Sequence, residues 1–186
     1  MKLNRPLKKK ASGFTLIELL LVIGFIAGAL VLAFVTFPKV QASSRANTES
    51  QHITTIVAGI KNLYSTAQSY SSVSNSVLLA AQIFPDDMQV NGSVVNNVWG
   101  GNVTLAPTTG PSGTSLLGFQ ITYTLVPQNE CSKLATGVAS NYLKLQVNNT
   151  TVMDKTATTQ LNIDPGQVAS LCATGANSNT IVIQAN

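Results

Sequence analysis

The sequence predicts an α+β fold, with one long N-terminal helix, apolar in its first half, packed on an antiparallel β-sheet. Two observations lead there. Residues 14–37 form an apolar run carrying a single charge, Glu18, and a helical pattern continues beyond it to about residue 70. After that, Asn, Ser, Thr and Gly dominate, charges are few, and short alternating apolar stretches are separated by turn residues.

The elements follow in order. Residues 1–13 are a basic head: Lys2, Arg5, Lys8, Lys9 and Lys10 are five of the eleven basic residues, with no acid among them. Such a head holds an N-terminus in the cytoplasm by the positive-inside rule. It also accounts for the formal charge of +4, since without it six basic residues face seven acidic ones, near −1. The remaining basic residues are scattered, which argues against direct, charge-driven nucleic-acid binding.

Residues 14–37, as a helix of about 36 Å, are long enough to span a bilayer with some tilt. An ordinary signal peptide fits poorly, because its apolar region runs about 7–15 residues and ends at a small-residue cleavage site. No Cys lies nearby, which excludes a lipoprotein anchor. A plain single-span anchor or a processed membrane segment remains. Glu18 is the discriminating residue: a carboxylate at mid-bilayer costs about 2.5–3.5 kcal/mol and is a functional candidate with a partner to be found.

Residues 38–72 read as the amphipathic half of the same helix. Ile53, Ile56, Val57, Ile60, Leu63, Tyr64 and Ala67 recur at the spacing of one helical face. Arg45, Asn47, Glu49, Gln51, Lys61 and Gln68 are placed on the opposite face. Gly24, Gly28 and Pro38 are weak points, and the Ser-rich stretch 71–76 is the exit.

Residues 73–186 form the exported α+β head. A short helix is expected over 76–84, ending before Pro85, and paired segments over 94–99 and 102–106 around Gly100-Gly101. Residues 108–114 read as a loop. Residues 119–126 read as a strand with Phe119, Ile121, Tyr123 and Leu125 on one side. A helix is expected over 129–139, then a hairpin of 142–147 with 151–153 about Asn148-Asn149. Asp164-Pro165-Gly166-Gln167 has the composition of a helix start, with an Asp cap and Pro at the first position; that helix runs to about Cys172. Residues 180–184 form a closing strand.

The inventory argues against an enzyme. The one histidine, His52, lies on the long helix, where it reads as a solvated or helix-packing residue. Asp86-Asp87 reads as a surface turn, although paired carboxylates could serve acid–base work or Ca²⁺. No catalytic residue, metal site or cofactor is predicted. Trp99 reads as a core anchor at a tight turn.

The junction Lys8-Lys9-Lys10-Ala11-Ser12-Gly13-Phe14-Thr15-Leu16-Ile17-Glu18 resembles the processing site of type IV prepilins and related pseudopilins, where Gly-Phe-Thr-Leu-Ile-Glu follows a basic leader. The resemblance is strongest over 1–38 and extends, in layout, to the type IV pilin fold with its C-terminal disulfide-bounded region. It implies that prepilin peptidase cuts after Gly13 and methylates the new amine of Phe14. Glu18 then meets that amine on a neighbouring subunit while residues 14–37 pack into the core of a filament. The implied partners are identical subunits in a helical filament, the peptidase and a pilus assembly platform. The implied locations are the bacterial inner membrane before assembly and an extracellular pilus after it.

In an oxidising periplasm Cys131 and Cys172, the only cysteines, are expected to pair, two free structural thiols being the alternative. The short leader is nearer the type IVa habit, whereas the large C-terminal span and the Asn97-Val98-Trp99-Gly100-Gly101 stretch lean toward type IVb. The expected function is a structural subunit, the major pilin. The alternatives are a pseudopilin of a type II secretion system or a non-polymerising membrane-anchored adhesin. Adhesion, conjugation, DNA uptake, motility and secretion all stay open as the filament's task.

Overall fold

The first turn of the long helix α1, Leu16–Leu63, is built by the amides of Glu18 and Leu19, both donating to the Thr15 carbonyl. The computed structural model describes residues 13–110 and 116–186, without the side chains at 33 and 35–38. The expected leader, up to residue 12, and most of the expected 108–114 loop therefore lie outside the described residues. The chain divides into two compact units, Met1–Lys39 and Val40–Asn186.

In the first unit every described side chain from residue 13 onward is exposed, including Phe14 at 81 % and Phe25 at 82 %. Gly24, Gly28 and Pro38 all fall inside α1 without ending it. Among the described residues no helix is long and apolar enough to cross a membrane. The expected span over 14–37 runs through positions 33 and 35–37, whose side chains are outside that description.

In the second unit α1 buries Ala42, Ala46, Glu49, Ile53, Ile56, Val57 and Ile60. This is the expected apolar stripe as far as Ile60, with two corrections: Glu49, predicted on the polar face, is fully buried on the apolar one, and Leu63 and Ala67, predicted on the stripe, are exposed. Positions 42, 46, 49, 53, 56 and 60 step by three or four, so helical geometry carries residue 49 inward whatever its side chain. The helix also ends at Leu63, short of Tyr70. Ser65 and Thr66 follow, residue types that compete with helical backbone bonding. The amides of Ser65 and Ala67 turn to carbonyls three residues back, at 3.2 and 2.9 Å, and Tyr70 donates to the Leu116 carbonyl at 2.8 Å.

The Ser-rich stretch caps the next helix, α2 (Asn75–Ala80), where Ser74 Oγ accepts from the Val77 amide. The sheet comprises β1 (Gln89–Asn91), β2 (Val94–Asn96), β3 (Asn102–Thr108), β4 (Gly118–Val126), β5 (Lys144–Val147), β6 (Thr150–Asp154) and β7 (Asn179–Ala185). Its order is β1-β2-β3-β4-β7-β5-β6, with every pairing antiparallel. The last strand therefore fills the middle of the sheet rather than closing an edge. Alternation sends Val103, Leu105, Phe119, Ile121, Tyr123, Leu145, Val147, Ile181 and Ile183 into the core. Residues between them, such as Thr122, Gln146 and Val182, are half-buried.

Strand β4 breaks its own alternation. The pairing with β7 shifts between Tyr123 and Val126, and Leu125 takes a φ of 55°. This bulge turns Leu125 outward and buries Val126, which corrects the expected inward Leu125. The hairpin of β5 and β6 turns at Asn148 and Asn149, with φ of 49° and 65°, the left-handed pair of a tight two-residue loop. Two helices complete the head: α3 (Gln128–Val138) and α4 (Pro165–Gly175), the latter capped by Asp164, which accepts from the Gly166 amide at 2.9 Å.

Candidate functional site

Three regions hold the residues singled out by the sequence. At the start of α1, Gly13 has no other group among the described residues, its chain neighbours aside, within 4 Å of where a Cβ would lie, and Phe14 is exposed. Glu18 sits in the first helical turn, its amide 3.4 Å from Thr15 Oγ1. The side chains around it, Leu16, Ile17, Leu19, Leu20 and Leu21, are all more than half exposed. No residue from 14 to 38 other than Glu18 is charged. The helix thus begins as an apolar surface with one acid on it.

The second region is the disulfide. Cys131 on α3 and Cys172 on α4 are bonded, their Cα atoms 5.9 Å apart, and both residues are fully buried. The bond ties the two helices that follow β4 and precede β7, as the sequence predicts.

The third region was not visible as a unit in the sequence. It centres on the turn between β2 and β3, residues 97–101. Asn97 Oδ1 accepts from the amides of Trp99 (3.0 Å) and Gly101 (2.9 Å), and its Nδ2 donates to the Thr124 carbonyl at 2.8 Å. Gly100 has a φ of 81°, a conformation that costs other residues about 1–2 kcal/mol. Gly101 is required for a different reason: a Cβ there would lie 1.9 Å from the Thr124 carbonyl oxygen. Asn, Gly and Gly in this stretch therefore seat the turn on the β4 bulge. Trp99 packs against the core but is only partly buried, and its Nε1 is buried without a hydrogen-bond partner among the described residues.

Glu49 reaches this turn from α1, accepting from the Val98 amide through Oε1. Its Oε2 lies 3.2 Å from His52 Nδ1, and His52 Nε2 lies 3.0 Å from Asp87 Oδ2. His52 is itself buried, while the Asp87 side chain is 64 % exposed. His52 is thus a helix-packing residue rather than a solvated one, and Asp87 is a surface turn that also grips α1. Burial pushes the Glu49 carboxyl above its ordinary value, opposed by the Val98 hydrogen bond and by His52. Burial, with the nearby Glu49 charge, raises the Tyr123 phenol well above its ordinary value; among the described residues its hydroxyl meets no partner at hydrogen-bonding geometry. A cavity of about 370 Å³ opens here, lined by Thr48, Glu49, His52, Asp87, Asn97 and Gly100 among others. Glu49 and Asp87 lie on opposite ring nitrogens, and among the described residues no three His, Cys, Asp or Glu groups are arranged to hold a metal ion.

A second buried polar knot joins the far end of the sheet. Asn179, fully buried, donates to the carbonyls of Val126 (3.0 Å) and Ala176 (2.9 Å) and accepts from Asn148 Nδ2 at 2.7 Å. Asn148 in turn donates to the Leu171 carbonyl and accepts from the Thr180 amide, each at 2.9 Å. A polar residue opening a strand gives no sign of such a role from sequence alone.

Comparison with known proteins adds the following. A family model described as "PilS N terminal" matches residues 43–186. The crystal structure of the type IVb pilin from Salmonella typhi is similar, with a TM-score of 0.61 and 22 % identity, over 75 % of this chain and 99 % of that one. TcpA, a type IV pilin from the El Tor biotype of Vibrio cholerae, has a TM-score of 0.60 at 13 % identity, over 78 % of this chain and 99 % of that one. These likenesses establish the shared fold. No curated protein matches the chain.

Proposed function

We propose, because this chain belongs to the PilS family of type IV pilins, that it is the major structural subunit of a type IV pilus, processed at Gly13/Phe14 and polymerised through α1. The observation that carries this reading is the first part of α1. Its described side chains are exposed and apolar, Phe14 at 81 % and Leu16 at 77 % among them, with Glu18 the one charge. Apolar surface on that scale is stable only inside a bilayer or against other apolar surface. One helix start supports both fates in succession: an inner-membrane anchor before assembly, and the core of a helical filament of identical subunits afterwards.

Glu18 supplies the reason to change state. In lipid its carboxylate is costly, and it gains most from an opposite charge that arrives only on assembly. The methylated amine that prepilin peptidase would leave on Phe14 is such a charge, four residues and about 6 Å along the helix. When presented by a neighbouring copy, it would neutralise Glu18 and set the axial register of the filament. The assembly platform would extract subunits from the inner membrane into this arrangement, and the finished pilus would be extracellular. The head requires no catalytic chemistry for this role.

Mass spectrometry of the mature chain tests processing: an N-methylated Phe14 start is expected, and a Met1 or unmethylated start would overturn the reading. Electron microscopy of shear-released filaments tests polymerisation and separates a pilus from a type II secretion pseudopilus. Glu18→Ala should leave the protein membrane-bound but poorly assembled, and normal filament yield would remove Glu18 from the mechanism.

A further inference from the structure

We propose that Glu49, His52 and Asp87 form a proton-dependent latch, closed by uptake of one proton, that ties the 85–88 turn of the head to α1. The argument is a count of hydrogens. His52 presents Nδ1 to Glu49 Oε2 at 3.2 Å and Nε2 to Asp87 Oδ2 at 3.0 Å. A neutral imidazole carries one N–H and an ionised carboxylate carries none. With both acids ionised and the ring neutral, one proton must serve two contacts, and the other contact sets a lone pair against a carboxylate oxygen. One more proton removes the conflict wherever it resides. On the ring, both nitrogens donate; on Glu49, the carboxyl donates to Nδ1 and Nε2–H donates to Asp87. The proton belongs to the coupled group rather than to one residue.

Burial makes the conflict matter. Glu49 is fully buried and His52 nearly so, which leaves little water to relieve an unmatched lone pair. The raised affinity of Glu49 for a proton, which arises mainly from burial, points the same way. Other groups do not remove the need. The Val98 amide serves the other Glu49 oxygen. The Tyr123 phenol on β4 faces Glu49 but stays protonated, and Tyr142 adds to the barrier against its ionisation. Arg45, one turn earlier on α1, is exposed.

The turn held by Asp87 is short. The Met88 amide donates to the Pro85 carbonyl at 3.1 Å, and the buried side chains of Phe84 and Met88 bracket it. When the proton leaves, the contact most easily given up is the one to Asp87, whose side chain is 64 % exposed and can turn to water. The turn then opens more often, and the wall of the 370 Å³ cavity opens with it. This property belongs to the head and does not depend on the filament reading.

The test uses the full chain in detergent micelles, where the single histidine gives an unambiguous imidazole signal. Ring ¹⁵N shifts of His52 are followed with pH alongside amide hydrogen-exchange protection factors at Met88 and Val98. Protection at Met88 should fall about tenfold, the loss of one charge-assisted hydrogen bond, across the same pH step that changes the ring signals, while Val98, which keeps its acceptor on Glu49, serves as the reference. In His52→Gln a proton taken up by Glu49 has no imidazole to pass its effect on to Asp87, so the Met88 step should vanish. Asp87→Asn, at an exposed position, carries the test if the first variant misfolds, and should flatten the Met88 response. A Met88 protection factor that stays constant across the wild-type ring titration, or an unchanged step in either variant, would overturn the proposal.

Discussion

Replacing Cys131 and Cys172 together by alanine removes the crosslink between α3 and α4 while leaving small apolar side chains in a buried position. The two cysteines are 41 residues apart in sequence. In the chain-entropy model a crosslink over that span disfavours the unfolded state by about 4 kcal/mol. For a chain of this size 1 kcal/mol corresponds to about 2–4 °C in melting midpoint, so a fall of about 10 °C is expected. Trp99, the only tryptophan, lies in the head and reports its unfolding by fluorescence.

Removing two buried sulfurs also leaves space in the core, which destabilises by a different route. Reduction of the wild-type bond separates the two effects, since the thiols keep the sulfur volume. Reduced wild type should therefore lose most of the 4 kcal/mol, with the alanine pair somewhat lower. Because the crosslink acts on the unfolded chain, the denaturant dependence should also steepen on reduction as the unfolded state expands. Oxidised and reduced wild type melting within about 1 kcal/mol of each other would refute this account. The packing of α3 on α4, with Leu134, Val138 and Val168 fully or almost fully buried, would then hold the region without the bond.

Three further outcomes follow from the same structure. Asn179→Ala strips the Val126 and Ala176 carbonyls of a donor and leaves one Asn148 amide hydrogen without its acceptor, and should cost about 3 kcal/mol by thermal melting; a loss below 1 kcal/mol would mean that water or a rearranged Asn148 replaces it. Gly101→Ala should be far worse than Gly100→Ala, about 3 against about 1 kcal/mol, because the first drives a Cβ into the Thr124 carbonyl while the second meets open space and only a strained φ; equal effects would contradict the close approach. Asp154 titrates below its ordinary 3.8: burial pushes it up, but hydrogen bonds from the Thr156 hydroxyl and amide and the Lys144 ammonium at 3.1 Å outweigh that. A lowered folded value means stability that is present above the unfolded value and lost as pH falls through the folded one. Acid melts should therefore show wild type losing its advantage over Asp154→Asn below about pH 4, and parallel curves would remove the carboxylate from the stability of the β5–β6 hairpin.

Local pattern made much of this fold readable and long-range pairing hid the rest. The α1 stripe through Ile53, Ile56 and Ile60, the Asn148-Asn149 turn and the Asp164 cap are each decided within a few residues, where spacing and turn chemistry are strong signals. The place of β7 is not local. Residues 179–185 alternate as a strand, but nothing in them says that they insert between β4 and β5. The bulge at Leu125 is likewise set by partners, since β4 must bend where the 97–101 turn presses on Thr124. Glu49 shows the limit most clearly. Counting back from Ile53 and Ile60 by helical steps places residue 49 on the buried stripe, so its position was legible, and its charge was what argued the other way. The charge is tolerated because two groups converge on it, the Val98 amide from the β2–β3 turn and His52 from its own helix, while Asp87, on the far side of His52, works against it. Periodicity assigns a residue to a face from its neighbours in sequence, whereas the amide that makes this buried carboxylate stable comes from 49 residues away along the chain. A charged residue falling on an apolar stripe is therefore better read as a request for distant donors than as a reason to shift the stripe.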